Sequence, residues 1–92
     1  MKKVFVAAKD PIGAALDRVL RFALQTEPVA TPSEAQIVMT CTDDETLDAL
    51  ETYHSMPVWQ VVFMGQGITH RRVRKFDGLE LMVPLAAALK EE

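Results

Sequence analysis

The sequence predicts a small α/β domain with a mostly parallel sheet of four to five strands and about three helices. Three short apolar runs carry this prediction: residues 4–8, 37–41 and 58–64, each ending in a polar or glycine-rich turn. Amphipathic segments lie between the runs, and short apolar runs of this kind are typical of parallel strands buried on both faces. At 92 residues, the chain is expected to form a single domain over residues 1–92.

The composition excludes several classes of protein. About half of the residues (49%) are apolar and 25% are charged, as in globular domains, and no apolar run approaches the length of a membrane span. The single cysteine, Cys41, excludes an internal disulfide and a cysteine-based zinc cluster. The apolar run near the N-terminus is too short for a signal peptide, which predicts a cytoplasmic location.

The first helix is predicted from its start signals and its periodicity. Asp10 is a helix-capping residue and Pro11 suits the first helical position. Apolar residues then recur at helical spacing from Ile12 to Leu24. The helix is expected to end near Glu27-Pro28, because the residue before a proline is disfavoured in helical conformation.

Residues 28–32 predict a short edge strand or a loop, because the two prolines of this segment cannot donate to a strand ladder. Only residues 33–35 separate it from the next apolar run, whereas a crossover helix needs a dozen or more residues. We therefore expect the helix between these two strands to be absent or reduced to a turn.

The second helix is predicted to begin at Thr42 to Glu45, which has the form of a capping box. Leu47, Leu50 and Tyr53 give it one apolar stripe. The strand that follows, residues 58–64, is apolar except for Gln60. One of its faces carries Trp59, Val61 and Phe63, and the other carries Val58, Gln60, Val62 and Met64.

Two interpretations fit the C-terminal third. In the favoured one, residues 73–76 form a strand and Asp77 caps a helix that runs to Lys90 and is kinked at Pro84. In the alternative, Asp77-Gly78 forms a β-hairpin turn, residues 79–83 pair back on residues 72–76, and Pro84 starts a short final helix.

Two segments resemble response-regulator receiver domains, which have a flavodoxin-like fold. Val4 to Pro11, an apolar strand that runs into Asp-Pro, looks like the start of a receiver. Arg74 to Asp77, followed by Glu80-Leu81-Met82, is similar to the closing strand and last helix of that family. The resemblance implies a signalling or assembly domain with a receiver-like sheet.

The positions that carry receiver chemistry differ in this chain. The metal-binding acidic pair falls on Ala8, Lys9 or Asp10, and the phosphoacceptor position falls on Cys41. The receiver position that holds a hydroxyl residue, at the end of the fourth strand, falls on Phe63 or Met64. The receiver's lysine, which comes before the last helix, falls on Arg74. Because a receiver needs clustered carboxylates to hold Mg²⁺ beside the phosphorylated oxygen, the resemblance implies a degenerate receiver that is not phosphorylated by the usual route.

The chain also resembles the B components of lactose- and cellobiose-type sugar phosphotransferase systems. Asp77-Gly78 and the alanine-rich residues 86–88 are similar to the C-terminal part of that family. In that family a cysteine directly after the first strand carries the phosphate. Here Ala7-Ala8-Lys9 occupies the place, so the chemistry does not carry over.

Candidate ligand-binding residues lie where the predicted strands end, because ligands of open α/β sheets bind at the carboxyl ends of strands. Ordinary helix caps, a buried thiol and a simple loop are the competing interpretations of the same residues, and no catalytic set, metal site or cofactor is predicted. The candidates follow the first, third and central strands: Asp10, Thr40, Cys41, Thr42, Gly65, Gly67, Arg71 and Arg72.

Charge and helix number point to association with a protein. Residues 43–51 form an acidic segment and residues 70–75 a basic one. If the first and last helices cover one face, a single helix about 10 Å wide is left for a sheet whose strands lie about 4.8 Å apart. An open apolar face of this kind predicts a protein partner or a homodimer. No membrane partner is predicted, and nucleic acid is disfavoured because the sequence lacks an aromatic stacking platform.

The leading functional hypothesis is therefore a non-catalytic, receiver-like interaction module. The alternative is a small nucleotide- or anion-binding enzyme subunit, or a phosphotransfer-related subunit, that uses the crevice at the strand ends. Gly65, Gly67, Arg71 and Arg72 motivate this alternative.

Overall fold

The structure, a computed structural model, describes residues 2–78, 80 and 82–91. Within these residues, five parallel strands form one sheet in the order β2-β1-β3-β4-β5, and three α-helices pack on it. This confirms the predicted α/β class and the largely parallel sheet. The strands are β1 (Lys3–Val6), β2 (Glu27–Pro28), β3 (Ile37–Thr40), β4 (Val58–Val62) and β5 (Val73–Asp77), and the helices are α1 (Ile12–Arg18), α2 (Asp43–Thr52) and α3 (Met82–Glu91).

The strand order reverses direction at β1, which pairs in parallel with β2 on one side and β3 on the other. After β1 the chain enters α1 on one face of the sheet, and after β3 it enters α2 on the opposite face. The two strand ends therefore diverge and leave a crevice between them, as parallel sheets do at such a reversal.

Helix α1 begins one residue later than the sequence predicts. Pro11 immediately precedes the helix, and the Asp10 carboxylate accepts a hydrogen bond from the Ala14 N–H at 3.0 Å. The helix continues as a π-helical segment over Val19–Ala23. The predicted end at Glu27-Pro28 is wrong, because the Thr26 N–H and hydroxyl both donate to the Leu20 carbonyl and end the helical run early.

Two crossovers of the sheet contain no α-helix. Between β2 and β3 the chain makes only a 3₁₀ turn at Pro32–Glu34, which confirms that the expected helix is reduced to a turn. Strand β2 is a two-residue edge strand, also as expected from its proline. Between β4 and β5, residues 63–72 form a loop, called here the β4–β5 loop.

Helix α3 differs from both interpretations of the C-terminal third. It begins at Met82 rather than at Asp77, and Pro84 lies in its first turn, where the missing N–H removes no intrahelical bond. The hairpin is also not observed, because β5 pairs with β4 and, in the described part of the chain, with no other strand. Leu79 and Leu81, which the hairpin needs, lie outside the described residues.

The two faces of the sheet are covered unequally. The core between the sheet and helices α1 and α3 includes Leu16, Leu20, Trp59, Phe76 and Leu85. The opposite core is smaller and centres on Val38, Ala49 and Val58 beneath α2. Among the helices described, α2 alone covers this face, as predicted, but the β4–β5 loop covers part of it as well. The predicted open face is therefore smaller than expected from the helices alone.

None of the helices in the described residues has the length and hydropathy needed to cross a membrane.

Candidate functional site

A crevice of about 640 Å³ lies at the carboxyl ends of β1 and β3. We call it the strand-end crevice. Asp10, Cys41 and Thr42, three of the residues predicted from the sequence, line it together. Its other lining residues are Lys9, Ile12, Asp44, Glu45 and Asp48. Among the described residues that line the crevice, Lys9 is one cation beside four carboxylates, so their electrostatic potential favours cations over anions.

The Glu45 carboxylate is placed where the crevice would offer backbone donors to an anion. Its Oε1 accepts hydrogen bonds from the N–H groups of Cys41 at 3.1 Å and Thr42 at 2.9 Å. Its Oε2 accepts a third from the Lys9 N–H at 2.8 Å. The Thr42 hydroxyl accepts in turn from the Glu45 N–H, which completes the predicted capping box. Glu45 thus joins the chain after β1 to the chain after β3.

The pKa values of Glu45 and Cys41 are shifted by their surroundings. Burial alone would raise the pKa of Glu45, but the hydrogen bonds from the backbone of Thr42, Lys9 and Cys41 outweigh it, so the pKa is lowered. Burial, and secondarily the Glu45 charge, raises the pKa of the Cys41 thiol. Cys41 is therefore poorly suited to act as a thiolate nucleophile near neutral pH.

Thr40 lies beneath the crevice rather than in it. Its side chain is fully buried, and its hydroxyl shares a 2.7 Å hydrogen bond with the Thr46 hydroxyl. A longer bond of 3.4 Å runs to the Trp59 carbonyl. Thr40 therefore holds β3, β4 and α2 together, and its hydroxyl is not presented to a ligand.

The side-chain amide of Gln60, in β4, bonds both to the chain that follows β3 and to the β4–β5 loop. It is only 1% exposed. Its Nε2 donates to the Cys41 carbonyl at 3.0 Å and to Asp43 Oδ1 at 2.8 Å, while its Oε1 accepts from the Ile68 N–H at 2.8 Å. A buried polar group in mid-strand is costly unless it is fully bonded, and here each bond contributes to holding the β4–β5 loop against the start of α2.

Gly67 lies where the β4–β5 loop closes over this amide. Its φ is 76°, and a Cβ at this position would lie 2.8 Å from both Gln60 Oε1 and a methyl group of Val62. Gly65 also has a positive φ, 81°, but a Cβ there would enter open space. The two glycines let the loop turn and approach the sheet, and a ligand-binding role is not needed to account for them.

Arg72 lies at the other end of the molecule from the strand-end crevice. Its guanidinium donates to the carbonyls of Leu50 at 2.6 Å, Tyr53 at 2.7 Å and Met56 at 3.4 Å. These carbonyls are at and just beyond the C-terminus of α2, so Arg72 caps that helix. Arg71 is exposed and lines a separate cavity of about 350 Å³ at the amino end of β5.

The structure thus divides the predicted residues into four places, and Thr40 lies by itself beneath the strand-end crevice. Asp10, Cys41 and Thr42 meet in the strand-end crevice. Gly65 and Gly67 lie in the first half of the β4–β5 loop, and Arg71 and Arg72 lie at its end, directly before β5. The sequence indicated Glu45 and Gln60 only as a cap and a polar exception. Their longer-range bonds have no local signal. In the described residues, no group of three or more histidine, cysteine, aspartate or glutamate side chains is arranged to hold a metal ion.

Comparison with known protein-family models, curated proteins and solved structures found no significant match to this chain.

Proposed function

We propose that the chain is a non-catalytic, receiver-like interaction module of the cytoplasm that binds a protein partner or a second copy of itself. The observation that carries this proposal is the engagement of the polar groups at the strand ends in internal hydrogen bonds. The Glu45 carboxylate accepts hydrogen bonds from three backbone N–H groups at the crevice, those of Lys9, Cys41 and Thr42. The Gln60 amide donates to the Cys41 carbonyl and accepts from the Ile68 N–H. These three N–H groups are therefore not available to a small anionic ligand unless the Glu45 carboxylate moves away.

Exposed apolar side chains support an interaction role. Met64 is 90% exposed and Phe63 is 43% exposed, and both follow β4 directly. Val83 near the start of α3 and Leu47 on α2 are also largely exposed. Large apolar side chains that a small domain leaves in water are typical of association surfaces when they lie close together, as Phe63 and Met64 do.

The test is a two-dimensional amide NMR titration with Mg²⁺ and acetyl phosphate, followed by nucleotides and sugar phosphates. We expect the amide signals of Asp10, Cys41 and Thr42 to remain unchanged. Saturable, Mg²⁺-dependent shifts confined to these residues would contradict the proposal.

The second candidate is a nucleotide- or anion-binding subunit, enzymatic or phosphotransfer-related, and the volume of the strand-end crevice favours it. It requires the ligand to displace the Glu45 carboxylate and to use Lys9. A thermal-shift screen of anionic ligands separates the two candidates. Stabilisation by one ligand that Lys9→Ala abolishes and Lys2→Ala retains would establish this alternative in place of the interaction module.

A further inference from the structure

A groove of about 630 Å³ lies between the outer side of α2 and the end of the β4–β5 loop, and we call it the α2 groove. Leu47, which is 50% exposed, and the partly buried Leu50 give it apolar surface. The other described residues that line it are Asp44, Asp48, Glu51, His70 and Arg72. The α2 groove therefore offers a partner side chain an apolar contact beside three carboxylates.

The charge that the α2 groove presents is negative. The Arg72 guanidinium already donates to three carbonyls at and beyond the C-terminus of α2. His70 Nδ1 accepts a hydrogen bond from the Arg72 N–H, so this nitrogen carries no proton. The three carboxylates are exposed, and within the described part of the chain no hydrogen bond or ion pair engages any of them. The groove therefore favours a partner surface that is positively charged.

A surface with the complementary properties lies on the first helical run of the same chain. Phe22 is 77% exposed and belongs to the π-helical segment Val19–Ala23, and π-helical turns occur frequently at functional sites. Arg18, also exposed, lies about one turn before it. Among the described residues, no hydrogen bond or ion pair engages the Arg18 guanidinium. Phe22 and Arg18 thus form an apolar and basic surface, called here the Phe22 surface.

The other exposed apolar side chains of the described residues lack this combination. Phe63, next to Met64, shares a cavity with one lysine and one aspartate, whose charges offset each other. Ile12 lines the acidic strand-end crevice, whose charge has the same sign as that of the α2 groove. Val83 lies in the first turn of α3, which contains no basic residue. The charges therefore select Phe22 as the side chain that suits the groove.

We propose that the Phe22 surface of one copy binds the α2 groove of a second copy, with the ring against Leu47 and the Arg18 guanidinium among the carboxylates. The two surfaces differ, so the contact is head-to-tail, and each copy keeps one surface for a further copy. Two α2 grooves do not pair with each other, because like charges placed face to face oppose association. The inference rests on the proposed interaction module and names a second copy of the chain as its partner.

The test is sedimentation velocity from micromolar to millimolar concentration, where the wild-type chain should form species larger than a dimer as concentration rises. Phe22→Ala removes the ring, and Glu51→Lys places a cation in the groove. Each should weaken association about tenfold or more. Val83→Ala and Glu34→Lys are the matched controls, because they make similar changes at exposed residues outside the two surfaces. Both should associate as the wild-type chain does.

Mixing the two weakened variants tests the head-to-tail geometry. Phe22→Ala keeps an intact α2 groove and Glu51→Lys keeps an intact Phe22 surface, so an equal mixture should form a one-to-one heterodimer that grows no further. A chain with both substitutions should bind neither. A mixture without heterodimer, or a wild-type chain that is monomeric at every concentration, would overturn the inference. The interaction-module proposal would still be decided by its own NMR titration.

An amide NMR dilution series of the wild-type chain provides a second measurement that does not depend on the folding of any variant. The signals of Phe22, Leu47 and Glu51 should shift together as concentration rises, and that of Glu34 should not. Shifts confined to other residues, such as Phe63 and Met64, would place the contact elsewhere and overturn the inference.

Discussion

The Glu45 carboxylate accepts three backbone N–H groups that come from two separate strand ends, and it is the residue on which the crevice depends most. Its partner Lys9 is 36 residues away in the sequence. Hydrogen bonds to a charged acceptor typically contribute more than neutral ones. An acid in this position also interacts favourably with the N-terminal dipole of α2.

We predict that Glu45→Ala lowers the free energy of unfolding by about 2 kcal/mol at pH 7. Because the folded-state pKa of Glu45 lies below its unfolded value, the contribution is complete above about pH 4.3 and is lost as pH falls through the folded-state pKa. Urea unfolding at neutral and acid pH should therefore show a difference between wild type and variant that shrinks in acid.

The control for this prediction is Asp44→Ala, which removes an exposed acid from the same turn and should have less than half the effect. A Glu45→Ala difference that stays constant down to acid pH would contradict the assigned role of the carboxylate.

At the scale of the element, α2 is held at both ends by groups of different origin. The capping box at Thr42 is local, and its pattern is readable from four consecutive residues. The C-terminal cap comes from Arg72, which lies 22 residues beyond its acceptor Leu50. A guanidinium bonded to several carbonyls combines hydrogen bonding with the favourable charge for a helix C-terminus.

We predict that Arg72→Ala destabilises the protein by about 2 kcal/mol and that Arg72→Lys recovers less than half of this loss. A lysine ammonium cannot reproduce the planar set of N–H donors with which the guanidinium bonds several carbonyls at once. Arg71→Ala is the matched control, with an effect within about 0.5 kcal/mol. Chemical denaturation measures the stabilities, and hydrogen exchange should show faster exchange in the last turn of α2 for Arg72→Ala. Equal effects at the two arginines would refute the capping role.

The limits of sequence-based prediction are visible in these elements. The capping box of α2 and the missing helix before β3 were readable because both depend on neighbouring residues and on segment length. The start of α3 was misplaced because Asp77-Gly78 is a strong local turn or cap signal, whereas Pro84 in the first turn was the better indicator. The bond of Glu45 to Lys9, the bonds of Gln60 and the helix-capping role of Arg72 were missed because each depends on residues distant in the chain.

At the scale of the whole molecule, the two faces of the sheet differ in how much apolar surface they bury. Leu20 on the α1 and α3 side is fully buried, whereas Leu50 on α2 is only partly buried. The sequence predicted this asymmetry correctly, because it placed two helices on one face of the sheet and a single helix on the other. The contribution of the β4–β5 loop was not predictable, because it depends on the buried Gln60 amide and on the close approach of Gly67.

We predict that Leu20→Ala costs about 3 kcal/mol and Leu50→Ala about 1 kcal/mol, since the loss scales with the buried volume that is removed. Equilibrium urea denaturation with an unchanged slope measures both values. Equal losses would show that the α2 face is as tightly packed as the opposite face, contrary to the structure.

The Gln60 amide has a consequence for how this protein can be observed in solution. Both of its side-chain protons are held, one by the Cys41 carbonyl and one by Asp43, in a place that is 1% exposed. Most glutamine side-chain protons exchange with water rapidly, so this pair should persist long after the others have been replaced by deuterium. The exchange rate of these two protons therefore reports, at a single side chain, whether the β4–β5 loop and the start of α2 remain joined.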